Sequence, residues 1–426
     1  MFHPMKTLAM TASVLSASLI VATAHAASLS ALNADCQAAL KGSDVAVAER
    51  ECAAAVEEAG SRQRNDPEQR AQAYDNLGDL QLAQGKLADA EESYRRGISV
   101  RERAFGKYAG ETAVSYEKIG NALLRQKKYP EAEILFARAL ENREKSFGEQ
   151  SREVADSLNT LGVAAISAGN AAKAEGYFQR CAQLRERLFG MRNADVGRAY
   201  QNLAVAVQMG RGFEAAAPYF EKALLALETA LGKDDPGLTE VVEGLARVAS
   251  ARRNPREADA LWRRALALRE RALGPEHVSV AVVLNELGVN AMKLNQMDVA
   301  EQAFRRALAI REKVLGANHL ATAEAASNLG ILLHARGDRA SALILLRHAA
   351  AVTHVGLGGN NPLSQSRWGN LAKVEQAGVT PPAVAAAAAP APAPATMAAG
   401  KPAEKKEEKK EVKKEEKKSG GWSWPF

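Results

Sequence analysis

Small, bulky and apolar residues return along this chain at a fixed interval of 42 positions. Glycine follows Phe or Leu at Gly106, Gly148, Gly190, Gly232, Gly274, Gly316 and Gly358, with no residue gained or lost between them. Leu or Ile precedes a small residue at Gly78, Gly120, Gly162, Ala204, Ala246, Gly288, Gly330 and Ala372. A third series is invariant alanine: Ala90, Ala132, Ala174, Ala216, Ala258, Ala300 and Ala342. Four residues after each comes a bulky group, Tyr94, Phe136, Phe178, Phe220, Trp262, Phe304 or Leu346. Three further on a small one returns, from Gly97 and Ala139 through Cys181 to Ala349.

These series predict two antiparallel helices per unit. Small residues twelve apart across a short turn, such as Gly288 and Ala300, let the helices approach closely, and aromatics such as Phe304 fill the space beside that contact. The turns are marked by AQGK, SAGN and KLNQ. On the second helix, ALAIREKVLG keeps Ala307, Leu308, Ile310 and Leu315 on one broad face, and the closing glycine supplies a left-handed stop. On this reading RERALG and REKVLG are punctuation. The expected fold is all-α, a solenoid of stacked helix pairs.

The pattern resembles the tetratricopeptide repeat, and within it the 42-residue variety found in kinesin light chains and many bacterial proteins. The resemblance runs from Tyr74 to about Lys373. It implies a right-handed superhelix whose concave wall of first helices holds an extended peptide or a partner's helix. No long heptad region precedes the repeats, so motor binding and cargo transport do not carry over.

Stepping the register back one unit from Gly78, Ala90, Tyr94 and Gly97 lands on Cys36, Ala48, Cys52 and Ala55. Residues 28–64 therefore read as a degenerate first repeat, with Cys36 and Cys52 on facing helices. In an oxidising compartment a bridge between them would hold the end that lacks a neighbour; the alternative is two separately buried thiols. Cys181 falls on a small-residue core position and reads as a packed thiol. Residues 65–379 hold seven full repeats and a closing helix over Trp368–Gln376, with Leu371 and Ala372 in register.

The ends differ in kind. Residues 1–27 begin MFHPMK, continue with a short apolar run rich in small residues, and close on Ala24-His25-Ala26, the pattern of an export signal cleaved after Ala26 or Ala27. An uncleaved anchor is the alternative. The expected location is periplasmic or secreted. Residues 380–400 form an Ala/Pro-rich linker, and residues 401–426 a Lys/Glu-rich tail with an aromatic tip at Trp422, Trp424 and Phe426. That tip is a candidate docking peptide or an interfacial anchor at membrane or cell wall, in which case the chain is an envelope-associated adaptor; otherwise its rings fold back on the solenoid.

Charge and chemistry narrow the function. Of the formal charge of +6, nine lysines against six glutamates in residues 401–418 account for half. The repeats are near neutral, which argues against a nucleic-acid partner. The glycines follow the structural period and form no phosphate-cradling loop, and the three cysteines contain no CxxC, so no cofactor or structural zinc is expected. His277 and His319 share an inter-repeat position suited to bonding the next helix start, and His334, His348 and His354 share the last full repeat. Acid pairs such as Glu91-Glu92 read as solvated faces.

With no catalytic residues in view, the expected function is a non-enzymatic scaffold for protein or peptide segments. The resemblance places an asparagine that pairs with a ligand's backbone one residue before the Leu-small pair. Asn76, Asn202, Asn328 and Asn370 occupy that place, while Lys118, Gly244 and Glu286 replace it elsewhere. Asn121, Arg125, Arg198, Arg247 and Lys293 are further candidates for the lining, the alternative for each being a solvated helix residue.

Overall fold

A computed structural model of the chain describes residues 28–42, 44–61 and 66–376. The expected signal, linker and tail, with Trp422, Trp424 and Phe426, lie outside the described residues. Among those described there are seventeen α-helices, one 3-10 turn and no strand. They fall into two compact units that divide between Ala168 and Gly169.

The first unit holds α1 (Leu29–Lys41), α2 (Val45–Ser61), α3 (Pro67–Ala83), α4 (Leu87–Phe105), α5 (Gly110–Arg125), α6 (Tyr129–Phe147) and α7 (Arg152–Ser167). The second holds α8 (Ala171–Phe189), α9 (Ala194–Arg211), α10 (Phe213–Leu231), α11 (Thr239–Ala251), α12 (Pro255–Leu273), α13 (Val278–Lys293), α14 (Met297–Leu315), α15 (Leu320–Ala335), α16 (Arg339–Leu357) and α17 (Pro362–Gln376). Within each unit every helix packs on the next. The expected helix pairs are therefore the building blocks of both units.

The small-residue series works by contact. A Cβ added to Gly78 would lie 2.4 Å from the Tyr94 ring, one on Gly120 2.7 Å from Phe136, and one on Gly288 2.6 Å from Phe304. Each aromatic thus rests on bare backbone of the facing helix, a fit that any side chain there would wedge apart. In the first hairpin the same pair of positions carries Cys36 and Cys52, and the structure joins them in a disulfide with a Cα–Cα distance of 4.7 Å. Cys181 is a buried thiol on α8.

Two expectations change. The closing glycines are not in the left-handed helical region: Gly106 has φ +93° and ψ 161°, and Gly316 φ +86° and ψ 159°. That extended, positive-φ region is open essentially to glycine alone, so the requirement is stricter than for an ordinary helix stop. The closing helix begins at Pro362, earlier than Trp368, because Asn361 accepts the Leu363 N–H at 2.9 Å and starts the helix there. Leu371 and Val374 seal the last apolar surface beside Leu346, while Trp368 stays 44% exposed against the edge of His354.

The arginine of RERALG is more than punctuation. Arg101, which leads the corresponding RERAFG, is 3% exposed on α4 and donates to Asp75 at 2.7 Å, to both oxygens of Glu68, and to Ser115 of the next first helix. Arg143 repeats this with Glu117 at 2.7 Å and Ser157 at 2.8 Å, and Arg269 with Glu243 at 2.6 Å. Arg311 reaches the Ala321 carbonyl at 2.7 Å. In the last repeat the polarity is exchanged, with Thr353 at the arginine position accepting from Arg367 at the serine position. The residue therefore ties consecutive helices together.

Candidate functional site

In the first unit a recess of about 530 Å³ opens along α1, α3 and α5. Its wall includes Gln37 and Lys41 from α1, Gln72, Asp75, Asn76 and Asp79 from α3, and Val114 and Lys118 from α5. In the second unit a recess of about 600 Å³ is lined by Arg198, Gln201 and Asn202 of α9, by Thr239 and Glu240, and by Arg269 and Arg271 of α12. Gln72 and Arg198, Asp75 and Gln201, Asn76 and Asn202, Val114 and Glu240 are pairs three repeats apart. Each unit thus places its recess on the same face of its first helices.

The first recess is a mixed-charge site. Lys118 Nζ lies 2.6 Å and 2.8 Å from the two Asp79 oxygens and 5.5 Å from the centre of the Tyr94 ring, and the Tyr94 hydroxyl donates to Asp79 at 2.7 Å. Burial, then the neighbouring Asp79 charge, pushes the Tyr94 phenol far above its ordinary range. Burial likewise pushes the Asp75 carboxyl up, with Arg101 and Lys118 pulling against it. Carboxamides at Gln37, Gln72 and Asn76 supply paired donors and acceptors beside the apolar Val114 and Leu40.

The second recess lies beside the repeat in which the arginine series is broken. Leu227 stands where Arg101, Arg143, Arg185, Arg269 and Arg311 stand in other repeats. Gln201, at the carboxylate position, turns to Glu240 at 2.9 Å. The first turn of the next repeat is replaced by a 3-10 turn over Pro236–Leu238, in which Asp235 caps Gly237 at 2.7 Å and Arg271 holds the Asp234 carbonyl at 2.8 Å. Arg198 pairs with Asp195 at 3.0 Å in an exposed position from which it can turn to a ligand.

Of the residues expected to line a groove, Asn76, Asn202 and Arg198 line a recess. Asn76 also donates to Asn33 at 3.4 Å, and Asn328 donates to Asn285 at 2.6 Å, each bonding 43 residues back onto the preceding first helix. The asparagine series therefore links first helices as well as facing the recess. Arg125 reaches the Leu82 carbonyl at 3.5 Å, and Arg247 lies 5.8 Å over the Trp262 ring. Asn121 and Asn370 are half-buried, Lys293 is exposed, and none of them lines either recess. Gln72, Gln201, Arg269 and Arg271 also line the recesses, and the repeat period alone carries no signal for that role.

Other expected roles resolve individually. His277 and His319 accept the N–H of Ser279 and Ala321 at 3.1 Å, capping the next first helix. His348 lies 3.0 Å from the Ala317 carbonyl. Glu92 is solvated, but Glu91 is largely covered, with its carboxyl held below the usual range by hydrogen bonds from Arg95 and Gln126 that outweigh its partial burial.

The tetratricopeptide repeat family model matches residues 69–145, 111–187, 153–229, 238–313 and 279–353, together well over half of the chain. Comparison with curated proteins gives no match. Among solved structures, the apo form of the quorum sensor NprR from B. thuringiensis is similar over 80% of this chain and 91% of its own, at 12% identity and a TM-score of 0.53. A signal transduction ATPase with a tetratricopeptide repeat sensor from Pyrococcus horikoshii is similar over 77% of this chain and 49% of its own, at 14% identity and a TM-score of 0.52. BtubC (BKLC) from P. vanneervenii is similar over 56% of this chain and 92% of its own, at 18% identity and a TM-score of 0.46. With its 42-residue register filled by contacting helix pairs, the chain belongs to the tetratricopeptide repeat family.

Proposed function

We propose that the chain is an exported, non-enzymatic scaffold that holds protein or peptide segments against its first helices. The observation that carries this is the recurrence of a recess at equivalent positions in both units, each with carboxamides and charged groups beside apolar surface. Such a lining suits an extended backbone, whose amides need paired donors and acceptors, with side chains sorted by charge. The NprR and ATPase relatives are named as sensors, which agrees with a recognition role for repeats of this kind. Export is supported by the residue pattern of positions 1–27 and by a cystine at the N-terminal end of the repeats.

Crosslinked recovery of partners from the periplasm tests the binding role. Arg198→Glu with Asn202→Ala, and separately Gln72→Glu with Asn76→Ala, should each cut recovery, while Lys293→Ala, outside both recesses, should not. Circular dichroism confirms that the helices persist in each variant. Equal recovery from all three would dismiss the recesses as binding surfaces. Export is checked by cell fractionation and by the mass of the mature N-terminus, expected at Ala27 or Ser28.

A further inference from the structure

We infer that the first recess is redox-gated: the Cys36–Cys52 bridge holds α1 in place as one of its walls, and reduction of the bridge releases that wall. The inference concerns the seating of α1 and needs no ligand, so it stands or falls apart from the proposed binding role.

The bridge occupies the place of a packing contact. In later hairpins the residue sixteen positions beyond the small residue is the bulky group that rests on it: Tyr94 on Gly78, Phe136 on Gly120, Phe304 on Gly288, Leu346 on Gly330. Cys36 and Cys52 stand at that same spacing in the first hairpin. No aromatic is available there. The buried cluster around the bridge contains Ala48 and Leu80, and the adjoining one Leu29, Ala55, Ala59 and Ala73. Leu32, Leu40, Leu77 and Val56 pack against these clusters, so the cystine takes the place of the aromatic within a core of aliphatic side chains.

Besides the bridge and these aliphatic contacts, α1 is held by a few polar ties. It is 13 residues long, too short to persist as an isolated helix in water. Its polar ties to α3 include Asn33 to the Gln69 carbonyl at 2.8 Å and to the Gln69 side-chain oxygen at 3.1 Å, Asn76 to Asn33 at 3.4 Å and Gln37 to Asn76 at 3.4 Å. Among the described residues its main packing partners are α2 and α3. Yet it supplies Gln37, Leu40 and Lys41 to the recess. Reduction by a dithiol balances simply: the dithiol gives two electrons and two protons, its own sulfurs closing into a cyclic disulfide, and Cys36 and Cys52 become thiols. Both cysteines have no solvent exposure, so the reaction passes through a transient opening of the hairpin, which the loss of the crosslink then favours.

Hydrogen exchange read by mass spectrometry on the full chain tests this. In the oxidised protein the amides of α1 should be protected, and after treatment with dithiothreitol they should exchange more than about tenfold faster, with α14 unchanged as the internal reference. Cys36→Ala with Cys52→Ala should exchange at the fast rate with or without reductant. Cys36→Gly with Cys52→Tyr, which installs the Gly78–Tyr94 arrangement, should stay protected in both conditions. Equal protection of α1 in oxidised and reduced wild type would overturn the inference. So would protection of the alanine pair, or fast exchange of the Gly/Tyr pair, which would break the equivalence between bridge and aromatic contact. The wild-type comparison needs no variant to fold.

Discussion

Removing Arg101 tests how the helix pairs are tied. Both Arg101 and Asp75 have side chains 3% exposed, with Nη1 to Oδ2 at 2.7 Å, so Arg101→Met leaves a carboxylate buried with its principal partner gone. Breaking such a pair from one side costs about 3–5 kcal/mol. Methionine is chosen over leucine for a local reason: Leu227 fits its repeat because a Cβ on Gly197 would stand only 2.6 Å from it, and the residue at that place in the first unit is Ala71. Adding Asp75→Asn removes the stranded charge and should bring the protein back to within about 1–2 kcal/mol of wild type, the remainder being an imperfectly bonded amide. Glu68, whose side chain is 39% exposed, is rescued by water in both variants. Urea unfolding followed by helical circular dichroism at pH 7 reads the totals, and exchange of the α4 amides assigns them to the first unit. The pH dependence adds a second reading. Asp75 is already raised above 3.8 by burial, and loss of Arg101 raises it further, so the folded variant binds a proton more tightly than the unfolded chain does. Its deficit is then absent below the unfolded value of about 4, grows as pH rises through the folded value, and is complete above it. The double variant should show no such slope. A single variant within about 1 kcal/mol of wild type, or a double no better than the single, would refute the buried ion pair as the tie.

Further outcomes follow from the same contacts. Gly120→Ala forces a Cβ to 2.7 Å from the Phe136 ring and should destabilise by about 1–3 kcal/mol in denaturant titration, with Phe136→Leu restoring part of the loss. Gly106→Ala, at φ +93° and ψ 161°, should cost about 1–3 kcal/mol in the same assay although the site is open to solvent. Tyr94 is raised above its unfolded pKa of about 10, so the folded state holds the phenol proton more tightly and loses stability as pH rises past that value; Tyr94→Phe should flatten the alkaline limb of a pH-stability curve. An unchanged limb would remove Tyr94 from the account.

The repeat itself was fully legible in the chain. Small and bulky residues at fixed offsets can only be satisfied by helices meeting at those positions, and the pairs Gly78–Tyr94 and Gly288–Phe304 meet there. The same register placed Cys36 opposite Cys52, because a disulfide obeys the spacing that governs the aromatic contacts. Helix caps at His277 and His319 were readable for a similar reason, since a cap acts within two or three residues of itself.

The functional surface was legible only in part. Asn76, Asn202 and Arg198 line recesses because a position in the repeat fixes which face of a first helix a residue occupies. Period alone could not say that Asn328 bonds Asn285, that Arg247 lies over Trp262, or that the arginine of RERALG is buried. Those outcomes turn on which polar partners from neighbouring helices come within hydrogen-bonding reach. Sequence periodicity carries one repeat's internal geometry, so it determined the helices and their pairing and set Cys36 opposite Cys52, while the bridge between them came from the tertiary structure. The lining of each recess depends on side chains of adjacent repeats acting together, as Gln201 and Glu240 do, and that was decided by tertiary packing.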